Sequence, residues 1–153
     1  MIVNSVDAEN DALLYAAKLM VAAARTAPKA GGRDSLKTLI LTGDDKDKLA
    51  DVMQSLGRVG KSNSKNMRDA GAVILIGIDF RGQTEECFSM KAKLLDLGIA
   101  LGSAVKVASD LNIDNRIMYT IGAAAKDLGL LDSDVIMGIP LAVTGKSPYF
   151  DRG

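Results

Sequence analysis

The stretch "KAKLLDLGIALGSAVKVASDL", residues 91–111, constrains the fold more than any other part of the chain. Its apolar spacing is helical. Its interior carries Gly98 and Gly102, with Ala100, Ser103, Ala104 and Ala108 close by. Each glycine costs a helix interior about 1 kcal/mol relative to alanine. A four-residue spacing sets both on one stripe, where bare backbone lets another backbone approach. Such a helix is buried at the centre of the fold, set against a partner subunit, or laid against a flat ligand. Stripes of small residues usually serve packing, so the ligand reading ranks behind the other two.

The rest of the chain reads as elements for that helix to pack with. Residues 8–28, "AENDALLYAAKLMVAAARTAP", form an Ala-rich helix capped by Asn10 or Asp11, with Ala12, Leu13, Ala16, Ala17, Met20, Val21 and Ala24 on its apolar face. It ends by Ala27, because the residue before Pro28 is pushed out of helical geometry. "LKTLILTG" is a strand, "DDKDKLADVMQSLG" a second helix with Gly57 at its end, and "KSNSKNMRDAG" a short helix or turn. "AVILIGI" is an unbroken apolar run of strand length, which predicts a strand buried on both faces. "DFRGQTEECFSMK" is an irregular connection, and a further helix precedes Gly129. "SDVIMGIPLAV" is the last strand, with Pro140 predicting an edge, a bulge or a strand end. The expectation is one α+β domain over residues 1–153, a small sheet surrounded by helices with the long helix at its centre. Aromatics are only 4% and Trp is absent, so small aliphatic side chains and the seven Met must fill the core.

Composition removes several classes of function. There is no His, which excludes an imidazole acid–base and a His metal site. The single cysteine, Cys87, excludes an intrachain disulfide. Lys plus Arg equals Asp plus Glu at 19 each, which argues against nucleic acid and leaves self-association unopposed by charge. No apolar run approaches the roughly 20 residues of a membrane span. "MIVNSVDAEND" lacks the basic start of a signal peptide, so the expected location is the cytoplasm.

"TGKS", residues 144–147, looks like the close of a phosphate-binding loop. Pro140, which has no N–H, stands where that motif needs its first glycine, and only "PYFDRG" follows, too little for the required helix. A nucleotide triphosphatase is rejected. Tyr149 and Phe150 are expected to pin the tail, with Lys146 and Arg152 solvated or touching an anion. Asp44, Asp45 and Asp47 read as helix-start acids before they read as metal ligands.

Two stretches resemble known proteins. "AAKLMVAAARTAPKAGGRDSLKTLIL" is similar to the first helix, loop and strand of the nitroreductase-like flavoprotein fold. "DLGIALGSAVKVASDLNIDNRIMYTIG" and "GIPLAVTGKSPYFDR" resemble the signatures of a family of uncharacterised proteins described as containing a ferredoxin domain. That family's pattern places several cysteines after the middle strand, for an iron–sulfur cluster of about four thiolates. Here only Cys87 stands there, beside Glu85 and Glu86, so no iron–sulfur cluster is expected and Cys87 reads as an inert thiol before a redox-active one. The nitroreductase resemblance implies flavin mononucleotide (FMN) at the interface of a homodimer. It implies Lys29, Ala30, Gly31 and Arg33 in the loop against the flavin, and Gly102 and Ser103 on the central helix. Arg116, Lys146 and Arg152 are the cations available to the phosphate. The implied function is a redox protein, an FMN-dependent oxidoreductase with no catalytic side chain assigned. The alternative is a non-catalytic dimeric module, without cluster or flavin, that binds a partner or a small anion. Typical nitroreductases carry Arg before the first helix, whereas "MIVNSVDAEND" has no cation.

Overall fold

The chain folds as an antiparallel sheet held between two helical layers, in a computed structural model that describes residues 1–80 and 88–150. In chain order the elements are α1 (Ser5–Thr26), a 3₁₀ turn (Ala30–Gly32), β1 (Leu36–Leu41), α2 (Gly43–Ser55), α3 (Gly57–Arg68), β2 (Ala72–Ile78), α4 (Phe88–Asp110), β3 (Asp114–Asn115), α5 (Tyr119–Asp127) and β4 (Val135–Ala142). The strands lie in the order β1-β2-β4-β3. The expected α+β class, a small sheet surrounded by helices, is what forms.

Alternation along β2 explains its unbroken apolar run. Ile74, Ile76 and Ile78 enter one core with Leu13, Met20 and Ala24 of α1 and Leu97, Ala100 and Ala104 of α4. Val73 and Leu75 point the other way, into a second core with Leu49 and Met53 of α2, Met67 of α3, and Ile121 of α5. A strand covered on both sides has no face to leave polar.

Small residues set how closely the layers approach. A Cβ on Gly122 of α5 would lie 1.7 Å from the carbonyl oxygen of Ile136, and one on Gly138 of β4 would lie 2.1 Å from Ile121 Cγ2. The helix therefore rests directly on the backbone of β4.

Two local expectations are corrected, at the start of α1 and at Pro140. α1 starts at Ser5, with Asn4 as its cap accepting from the Asp7 N–H at 3.0 Å, and not at Asn10 or Asp11. Caps need no burial, and the apolar face does not begin until Leu13. Of the polar "KSNSKNMRDAG", read as a short helix or turn, residues 61–68 belong to a 12-residue helix whose buried side is Gly60, Ser64 and Met67. β3 is too short to show a period in sequence. Pro140 lies inside β4, a strand with neighbours on both sides. In an antiparallel strand alternate residues direct their N–H to opposite sides. Gly138 directs its N–H to Met118 at 3.0 Å. Pro140 therefore turns its missing donor to the same side, between the Asn115–Leu141 pair and the Met118–Gly138 bridge, where no ladder bond is required. Among the described residues no helix is long and apolar enough to cross a membrane.

Candidate functional site

Where α1 gives way to β1, the chain turns across the outer side of α4. The Ala27 N–H still bonds to Ala23 O at 3.1 Å, and Pro28 ends the helix. The Lys29 ammonium folds back onto α1 and donates to the carbonyls of Ala24, Arg25 and Ala27. A cation there complements the negative end of the helix. Ala30 donates its N–H to Asp96 Oδ1 at 2.9 Å, so a buried carboxylate of α4 holds the start of the 3₁₀ turn. Gly31 and Gly32 have φ of 62° and 64°, the left-handed region that glycine enters without strain. Arg25 then closes the loop by donating to Asp34 at 2.6 Å and to Leu36 O at 2.9 Å. Burial pushes the Asp34 carboxyl upward, but the Arg25 hydrogen bond, the Leu36 amide and the nearby positive charges outweigh it and leave it below its ordinary value.

Between this loop and the first half of α4 lies a recess of about 540 Å³, walled by Pro28, Ala30, Ala92, Leu95 and Ile99, with Lys29, Lys91 and Asp96 at its margin. The volume is in the range of small-molecule sites, and apolar walls with few polar groups suit a flat aromatic ligand. The outer wall is unfinished: Leu95 is 68% exposed and Ile99 45%. Gly98 and Gly102 continue the same stripe along α4, both exposed, and a Cβ on either would meet no atom within 4 Å. The expectation of a helix buried at the fold's centre is thus half right. One side of α4 is core, and the glycine side is open.

The residues that the nitroreductase resemblance implies fall into two groups. Lys29, Ala30, Gly31 and Arg33 share the loop at the recess, with Gly102 and half-buried Ser103 further along α4. Arg116 and Lys146 lie at the opposite end of the sheet. The loop feeds β1 at Leu36, level with Ile78 of β2 and Val135 of β4. Arg116 follows β3, which pairs with Leu141 and Ala142, and Lys146 follows that same end of β4. From Val135 to Ala142 is about 24 Å of strand. Arg116 there donates to Tyr149 O at 3.4 Å and stands 5.6 Å from the Phe150 ring centre. Tyr149 is buried and does pin the tail, whereas Phe150 is exposed beside Arg116. Arg152 and Cys87 lie outside the described residues.

Sequence reasoning missed Asp96, Lys91, Leu95 and the Arg25–Asp34 clasp. Asp96 had a visible signal: it occupies the same helical register as Ala100 and Ala104, so it is a carboxylate in a core position. The clasp had none, since its partners meet only through the loop. Asp45 and Asp47 pair with Lys48 and Lys46 at 2.9 and 2.8 Å, and among the described residues no three acidic or thiol groups are placed to hold a metal ion. An iron–sulfur cluster does not fit the donor set, since the chain has one Cys and no His.

Comparison with known proteins agrees with this architecture. Residues 86–152 match a family described as uncharacterized proteins containing a ferredoxin domain. An uncharacterized protein of Archaeoglobus fulgidus is 39% identical over 180 aligned positions, spanning 99% of this chain and 98% of that one. Among solved structures, a putative nitroreductase from Desulfovibrio desulfuricans in complex with FMN superposes with a TM-score of 0.65 at 19% identity, over 87% of this chain and 75% of that one. The FMN-dependent nitroreductase NfnB of Mycobacterium smegmatis, in complex with NADPH, gives 0.66 at 12%, over 86% and 78%. The NADPH:FMN oxidoreductase of Vibrio harveyi, complexed with NAD⁺, gives 0.65 at 16%, over 88% of this chain and 61% of its own length.

Proposed function

The chain belongs to the family of uncharacterized proteins containing a ferredoxin domain and has the nitroreductase fold, and from these two facts we propose that it is a homodimeric FMN-binding redox protein without an iron–sulfur cluster. One observation carries the reading. The candidate ligand residues sit at opposite ends of one protomer, and the α4 stripe that runs between them is open. A single small molecule cannot reach both ends of its own copy. If two copies of α4 cross antiparallel with the twofold axis level with Ala100, the Asp110 end of one helix comes beside the Lys91 end of the other. Arg116 and Lys146 of one copy then face the recess of its mate, and the unfinished wall at Leu95 and Ile99 is closed.

In that assembly Ala30, Gly31 and Arg33 offer loop backbone and one cation to the flavin. Gly102 and Ser103 admit it along the helix, and the far-end cations hold its phosphate. FMN, when bound, supplies the hydride and electron chemistry. The chain's own contribution is to orient the ring, keep water from one face through Pro28, Ala92, Leu95 and Ile99, and neutralise the phosphate. The cytoplasm is the proposed location.

One observation favours the module reading instead. The Lys29 ammonium is spent on three carbonyls of α1 and is not aimed at the recess. The absorption spectrum of the purified protein, followed by FMN titration with fluorescence detection, separates the two readings. Absorbance near roughly 450 nm, or quenching that saturates at one FMN per chain, supports the redox protein. A dimer that neither carries nor takes up FMN leaves the module.

A further inference from the structure

The first twelve residues are exposed throughout, although Ser5–Ala12 are already helical. The helix runs for more than two turns before Leu13 enters the core, its exposed start touching the body at Asn10, beside Gly71. This arm carries Asp7, Glu9 and Asp11, and the chain has no Lys or Arg before Lys18. Asp7 and Asp11 are one turn apart on one side of it. Val6, nearby, is 62% exposed.

α3 has the opposite character. Its sequence, "GRVGKSNSKNMR", holds Arg58, Lys61, Lys65 and Arg68 and no acid, on a chain whose net charge is zero. Spacings of three, four and three place those cations on one narrow stripe of the helix, all exposed. Lys65 pairs with Asp69 and Arg68 with Asp51. Among the described residues Arg58 and Lys61 have no ion pair, and neither do Asp7, Glu9 and Asp11. Val59, beside Arg58, is 62% exposed.

We propose that the acidic arm of one copy docks on the basic stripe of α3 in a second copy, with Asp7 and Asp11 against Arg58 and Lys61 and Val6 against Val59. Charge complementarity and matched spacing select this occupant. α1 packs on one side of the sheet and α3 on the other, and the arm's base meets its own chain at Gly71, where Asn10 Oδ1 stands 3.8 Å from the Cβ position, beyond the Arg68 end of α3 and not at Arg58 or Lys61. Reciprocal exchange between two copies closes under a twofold axis, one distinct from that at α4, because α3 and α4 lie on opposite sides of the sheet. The proposal concerns a face remote from the recess and does not depend on flavin.

The test mixes ¹⁴N- and ¹⁵N-labelled protein and treats it with a carbodiimide, which joins carboxylates to nearby amines. Mass spectrometry should find light–heavy links from Asp7 or Asp11 to Lys61. Those links should fall several-fold in 1 M salt, where the screening length is about 3 Å. In Lys61→Arg, which keeps the charge, the links should move to Lys65. A light chain carrying Asp7→Lys and Asp11→Lys, mixed with a heavy chain carrying Arg58→Glu and Lys61→Glu, should couple the introduced groups across copies. Absence of light–heavy links in wild type, links from the arm to another surface, or no coupling in the complementary mixture would each overturn the proposal.

Discussion

Replacing both stripe glycines by alanine, in the variant Gly98→Ala with Gly102→Ala, separates the stability of one protomer from its association. In one copy a Cβ at either position meets no atom within 4 Å. The added methyls therefore clash with nothing, while helix propensity improves by about 1 kcal/mol at each, near 2 kcal/mol together. At roughly 2–4 °C per kcal/mol for a chain of this size, the protomer should melt about 4–8 °C higher. The dimer responds in the opposite direction. If two α4 backbones approach along the stripe, the methyls intrude between them, and overpacking of that kind costs about 1–3 kcal/mol. Association then weakens by about fivefold to 150-fold. Sedimentation velocity over a dilution series reads the dimer constant, and thermal melts at the lowest concentration read the protomer. An unchanged or tighter dimer would show that the glycines face no copy of the chain. An unraised melting temperature in dilute solution would show that the stripe is not open.

Three further outcomes follow from the packing and the loop. Gly122→Ala puts a methyl against the Ile136 carbonyl, which cannot rotate away as a side chain could, so α5 must lift from β4; chemical denaturation should show a loss of about 3 kcal/mol or more, despite the better helix propensity of alanine. Tyr149 is buried with its hydroxyl unpartnered, and burial first, then the charges of Asp114 and Asp69, push its phenol above the ordinary range. A raised folded-state value means that this contribution to stability is complete below about pH 10 and is lost as pH climbs toward the folded value. Tyr149→Phe should remove that alkaline loss, seen as flatter melting temperatures above pH 10, and should be neutral or stabilising by about 1 kcal/mol at pH 7. Asp34 is held below its ordinary value, so the Arg25 clasp is complete above about pH 4 and weakens as pH falls through the folded value; amide exchange at Leu36 should quicken in that acid range, and Asp34→Asn should abolish the dependence.

The elements were legible because their signals are local. The seven apolar residues of β2 cannot leave a face in water, and the Ala-Pro step at Ala27 must stop a helix, whatever lies around them. The spacing of Gly98 and Gly102 likewise set both on one stripe of the helix. Which side of α4 would be open could not be read that way, since Ala100, Ala104 and the glycines are all small, and only the docking of α1 and the sheet shows which of them are covered. The same holds for the site. Lys29 is a cation in any alignment, yet the carbonyls at the end of α1 capture it. Asp96 sits 66 residues from the Ala30 N–H it accepts, and Arg116 and Lys146 stand at the far end of the sheet from the loop they were grouped with. Periodicity and backbone chemistry act over a few residues, whereas distances between distant residues come from how the layers pack.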